Sequence, residues 1–267
     1  MKYQAFLTSA VFKRTLVAAA LAAAYSSSWA LPTFTFNPPG ATPTPLVGVS
    51  FEADNILISD FSAVTFTNAT HFEDVGYLQV TGFQLGSNTF QPAGLNTTYS
   101  LYFSFHGEGD LTLGTAATLG TAPSSGVFTS LDYDFIGAVG NSQFSLVGNT
   151  PTVVGGATEV LAHGSLLNGG VGSSNNGDGT FVPSAAATVS FATVANGFFS
   201  SPNPFYDVAF SAFTNTKSQV KFSGNGFTIE KGGGAVNFTS AVPEPESYAL
   251  MLAGLGVIGF VARRRRA

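Results

Sequence analysis

Tyr99-Ser100-Leu101-Tyr102-Phe103-Ser104-Phe105 sets Tyr99, Leu101, Phe103 and Phe105 at alternate positions, so all four fall on one face of an extended chain. Leu131-Asp132-Tyr133-Asp134-Phe135 repeats the device, with Asp132 and Asp134 pointing away from the apolar face. The same spacing recurs at Val64/Phe66, Leu78/Val80, Leu111/Leu113, Phe144/Leu146, Val189/Phe191, Val208/Phe210, Val220/Phe222, Phe227/Ile229 and Val236/Phe238. Glycine, proline and asparagine punctuate these runs, and no stretch between the two ends sustains a helical period. The pattern predicts an all-β domain built as an antiparallel β-sandwich, jelly-roll-like or immunoglobulin-like, of ten or more strands.

The two ends have a different composition. Lys2, Lys13 and Arg14 precede an apolar run from Leu16 to Tyr25, and Ser28-Trp29-Ala30 supplies a small-x-small exit. Residues 1–30 therefore read as a signal peptide cleaved after Ala30. At the other end, Pro243-Glu244-Pro245 precedes an apolar stretch from Tyr248 to Ala262 and the cluster Arg263, Arg264, Arg265 and Arg266. The prolines keep the chain extended and accessible. A helix of those fifteen apolar residues would be about 22 Å long, short of the ~30 Å hydrocarbon core. Each arginine costs about 2.5–3.5 kcal/mol at the membrane centre, so the cluster would hold the cytoplasmic side and orient the protein body outward. Gly254-Leu255-Gly256-Val257-Ile258-Gly259 fits the GxGxxG pattern, but the chain stops eight residues later, without the acidic residue a dinucleotide site needs.

Between these ends, residues 31–242 read as one extracellular domain, with 243–267 as a sorting segment. That domain carries only Lys217, Lys221 and Lys231 against thirteen acidic residues. So few cations exclude nucleic-acid binding by counterion displacement. Calcium is the cofactor class that remains open. The absence of cysteine excludes disulfides, zinc-thiolate sites and thiol catalysis.

Candidate chemistry is sparse. His106, Glu108 and Asp110 alternate, so they share a strand face and could converge on a metal, or simply form the polar end of the strand that begins at Tyr99. Glu73/Asp74 and Asp132/Asp134 are carboxylate pairs of the kind glycosidases and calcium sites use, and they read as solvated faces. Leu166 to Thr180 reads as an irregular surface loop turning at Asn175-Asn176-Gly177-Asp178. The only tryptophan is Trp29, so most phenylalanines belong to a core; Tyr77 and Pro204-Phe205-Tyr206 are the candidate exposed contacts. No GxSxG elbow or HExxH helix is present, and no catalytic residue is assigned.

Pro243, Glu244, Pro245, the apolar stretch and Arg263 to Arg266 together resemble the PEP-CTERM sorting signal of exopolysaccharide-producing Gram-negative bacteria. That resemblance implies export through the inner membrane, transient anchoring by a short transmembrane helix, and processing by an exosortase. Segments of the body, among them Phe34-Thr35-Phe36-Asn37-Pro38, Gly82-Phe83-Gln84-Leu85-Gly86 and Gly232-Gly233-Gly234-Ala235-Val236-Asn237-Phe238, resemble the flocculation-associated branch of these proteins. They imply an extracellular protein that works with exopolysaccharide to hold cells in flocs or biofilm, which we expect to be a non-enzymatic surface or matrix protein; a β-rich body also offers sheet edges for association with copies of itself. A carbohydrate-binding module or a carbohydrate-active enzyme is the alternative.

Overall fold

The computed structural model describes residues 31–194 and 197–239. Eight long strands form its frame: β1 (Asn55–Phe66), β2 (His71–Leu85), β3 (Tyr99–Leu113), β4 (Ser125–Val139), β5 (Thr158–Asn175), β6 (Phe181–Ser190), β7 (Val208–Thr214) and β8 (Gly226–Thr239). Each pairs antiparallel with the next, and β8 returns to β1 through a ladder that sets Phe227 opposite Val64 and Val236 opposite Ile56. The sheet therefore closes on itself. The all-β expectation holds, but the sandwich is replaced by a closed up-and-down barrel. Alternation specifies that each strand has one buried face; it does not say whether that face meets a second sheet or the barrel's own interior.

Bulges supply the curvature. The register slips between Leu57 and Ile58 on β1, between Val160 and Ala162 on β5, and between Glu230 and Gly232 on β8, where Lys231 takes a positive φ of 63°. Closure also removes the long free edges by which a sheet would associate with its copies. Unpaired edges are left to short elements such as the hairpin Gln143–Val147/Thr150–Val154.

One end of the barrel is plugged. Strand Phe34–Phe36 lies between Phe51–Ala53 and Phe199–Ser201 in a small separate sheet. Phe36, fully buried, sits within 4.9–6.4 Å, ring centre to ring centre, of Phe51, Phe83, Phe135, Phe198, Phe205 and Phe238. A second, smaller cluster around Val64, Phe66, Phe72, Phe227 and Ile229 lines the interior away from this plug. On the outer wall, the hairpin Gln143–Val154 lays Phe144 over Phe61, Tyr77 and Tyr102, at ring-centre distances of 5.7, 6.3 and 5.3 Å. This covers part of the wall and leaves Phe61 only 3% exposed although it faces outward.

The loop expected over Leu166–Thr180 is mostly strand. β5 continues to Asn175, paired with β6, and the chain turns only afterwards. Its glycines and serines extend readily when a partner strand supplies the ladder. The turn itself falls where the sequence placed it. Asn175 Oδ1 accepts the Gly177 N–H, and Asp178 Oδ1 accepts the Thr180 N–H, at 2.8 and 2.9 Å.

Candidate functional site

Beyond the Phe36 plug the barrel holds a partly open cavity of about 120 Å³. Its wall is largely Phe, Leu and Val from all eight strands, including Leu78, Phe103, Leu131 and Phe213. Into this wall the fold inserts two carboxyls. Asp60 on β1 and Asp74 on β2 both face inward. Ser62, opposite Gly76 in the β1–β2 ladder, stands between their levels. Gly76 has to be glycine here, because a Cβ would lie 2.6 Å from both the Phe61 carbonyl oxygen and Ser62 Cβ.

Burial controls the chemistry of the pair. Asp60, 6% exposed, has its pKa raised from 3.8 to about 7 by desolvation, with the nearby Ser62 hydroxyl pulling the other way. Asp74 is raised as well, first by desolvation and then by the charge of Asp60, again offset in part by Ser62. Among the described residues neither has a basic partner: Lys217 and Lys221 pair at the surface with Asp178 and Glu230, at 3.1 and 3.4 Å, and Lys231 is exposed. Asp60 Oδ1, Asp74 Oδ1 and Asn215 Oδ1 are buried without a hydrogen-bond partner. Asn215 is fixed by its Nδ2, which donates to the Pro183 carbonyl at 2.9 Å.

The other expected site residues stand on the outside. His106, Glu108 and Asp110 share the outer face of β3, as alternation requires, and pair across to β2 rather than converge. His71 Nδ1 is 2.8 Å from Asp110 Oδ1, and His106 Nε2 is 2.9 Å from Glu73 Oε1. Among the described residues no three His, Asp or Glu side chains gather to hold a metal ion. The pair Glu73/Asp74 is divided by the wall: Glu73 is solvated as expected, while Asp74 lines the cavity. Asp132 and Asp134 are both exposed. With Ser104, His106, His163 and Ser165 they border a shallow outer hollow of about 580 Å³.

The candidate exposed aromatics pack instead. Tyr77 lies against Tyr102 and Phe144, Phe205 joins the plug, and the Tyr206 hydroxyl donates to the Thr33 carbonyl at 2.9 Å. His71, Glu73, His106, Glu108, Asp110, Asp132 and Asp134 thus put titratable side chains across the outer face of β2–β4, the face that in a membrane-spanning barrel carries an apolar band. Among the described residues no helix is long and apolar enough to cross a membrane.

Residues 241–266 match the family model of the PEP-CTERM protein-sorting motif. This is a sorting signal. It marks an exported protein handled by an exosortase-type enzyme, with transit of the membrane and later surface or extracellular placement. No curated protein and no solved structure matches the chain. The likeness of the body to the flocculation-associated branch therefore rests on its short motifs alone. The expected signal peptide with cleavage after Ala30, the expected transmembrane helix, the motif Pro243-Glu244-Pro245 and the arginines Arg263 to Arg266 lie outside the described residues.

Sequence reasoning missed Asp60 altogether. Its one signal was a carboxylate inside an apolar strand, in Ile56-Leu57-Ile58-Ser59-Asp60-Phe61, where a charge has no place unless something meets it.

Proposed function

We propose that this is a non-enzymatic component of the extracellular surface or matrix, delivered by an exosortase-type system and associated with exopolysaccharide to promote flocculation or biofilm cohesion. The sorting motif at 241–266 carries the reading. The barrel suits it physically: closure without disulfides gives a body that does not depend on the redox state outside the cell. Phe34 and Thr239 both stand at the plugged end of the barrel. A tether continuing from Thr239 would leave from that end and present the outer wall and the opposite end to the surroundings.

Within residues 31–242, thirteen acidic residues against three lysines make direct attraction to an anionic polymer unfavourable, so calcium bridging is the route by which such a surface would join acidic polysaccharide. Deletion of the gene should loosen aggregates of the native host, and chelation should disperse those of the wild type. Unchanged aggregation after deletion would count against the proposal.

The alternative, a carbohydrate-binding module or carbohydrate-active enzyme, has one observation in its favour. The hollow beside Asp132 and Asp134 is open to solvent and lined by hydrogen-bonding groups, as sugar hydroxyls require. Asp60 and Asp74 do not suit a polymer, because their cavity is smaller than the roughly 300–1,000 Å³ of ordinary small-molecule sites. Saturable binding of exopolysaccharide fragments that is lost in D132A/D134A, or shortening of the polymer by the protein, would favour that alternative.

A further inference from the structure

We infer that the barrel interior is a binding site for a compact primary amine, its apolar body held among Leu78, Phe103, Leu131 and Phe213 and its ammonium bound by Asp60, Asp74 and Asn215. The inference goes beyond the matrix role and stands or falls independently of it.

Three observations point the same way. The first is the space. An eight-stranded barrel has room either for its own side chains or for one small ligand, and here about 120 Å³ is left unfilled. An apolar cavity of roughly 150 Å³ is known to take up benzene, so the volume suits a single ring or a short alkyl chain.

The second is hydrogen bonding. Buried polar atoms are normally paired, yet Asp60 Oδ1, Asp74 Oδ1 and Asn215 Oδ1 have no donor. Asp60 and Asn215 are 6% and 8% exposed, both line the cavity, and the Asn215 amide nitrogen is already committed to Pro183. Ser62 Oγ between the carboxyls is likewise unpartnered, but one hydroxyl has a single proton and can serve only one of these three acceptors at a time, so the missing group must supply donors. An ammonium offers three N–H bonds and no acceptor.

The third is charge. Two largely desolvated carboxyls without a cation are costly, and among the described residues only the Ser62 hydroxyl and protonation relieve them. A cationic head would let the carboxylate form persist. The way in runs past Leu119 and Phe222, which border the cavity where Phe222 is 44% exposed.

Isothermal titration of the intact chain in detergent at pH 7 with benzylamine, toluene and benzoate tests the site. Benzylamine should bind once per chain and at least tenfold more tightly than toluene, with benzoate giving no saturable heat. Equal affinity for toluene would overturn the assignment of the head group. No binding of either would overturn the site, leaving water as the donor to the three oxygens. D60N/D74N, confirmed folded by far-ultraviolet circular dichroism, should bind benzylamine at least tenfold more weakly; unchanged affinity would also overturn it. The wild-type ligand series decides the question should that variant fail to fold. Loss of cell aggregation on gene deletion would neither rescue nor sink this result, so the two proposals fail separately.

Discussion

Replacing Asp60 and Asp74 together by asparagine should flatten the dependence of the barrel's stability on pH between about 4 and 7. Well below pH 3.8 the Asp60 carboxyl is protonated whether the chain is folded or not, and it exerts no pH-dependent effect. As pH rises the unfolded chain ionises near 3.8, while the folded barrel keeps the proton until about 7. Across that window the folded state binds more protons, so stability falls with rising pH and is lowest above 7. At about 1.4 kcal/mol per pH unit, the gap between 3.8 and about 7 corresponds to roughly 4 kcal/mol for Asp60 alone. Asp74 is raised too and acts in the same direction. Against a total stability of about 5–15 kcal/mol for an ordinary domain, this is a large share. Urea unfolding followed by far-ultraviolet circular dichroism from pH 4.5 to 8 is the assay. The wild-type midpoint should climb as pH falls, and D60N/D74N should show little of that climb and exceed the wild type at pH 8. A wild-type midpoint that drops from pH 7 to 5, with the same slope in the variant, would refute the burial argument.

Two packing predictions accompany it. Phe36→Ala removes the ring at the centre of the plug and should cost about 3–5 kcal/mol, read as a lower urea midpoint with unchanged slope. Gly76→Ala places a methyl against the Phe61 carbonyl and Ser62 and should cost about 1–3 kcal/mol in the same assay. A midpoint within error of the wild type would show that the β1–β2 ladder yields at that point.

The strands were legible because Tyr99 to Phe105 and Leu131 to Phe135 alternate cleanly, with one face buried and the other wet. Closure was not. It depends on β8 meeting β1 across more than 160 residues of sequence, and no local pattern encodes that pairing. The same limit misled the choice of face on β7, where the apolar pair Val208/Phe210 suggested the core. The structure turns Ala209, Ser211 and Phe213 inward and leaves Phe210 42% exposed. Ala209 and Ser211 are small, and they line the part of the interior left as cavity.

On β1 the alternation is blurred because both faces are covered, the inner one by the barrel and the outer one by Phe144 on its hairpin. Asp60 was hidden in that blur. Asp74 was visible, but its neighbour Glu73 suggested a shared solvated face, although adjacent residues on a strand point to opposite sides. Asp132 and Asp134, two positions apart, were placed correctly for the same reason. The sorting motif needed no fold to be recognised, because its information is linear.

The most direct test of the central claim is intact-mass analysis of the protein from the native host, comparing cell-bound and released fractions with and without the exosortase. An exported matrix component delivered by this motif should have lost the segment after the Pro243-Glu244-Pro245 region in wild-type cells and kept it in cells lacking the enzyme. A tail retained in wild-type cells, or removed equally in both, would contradict the account.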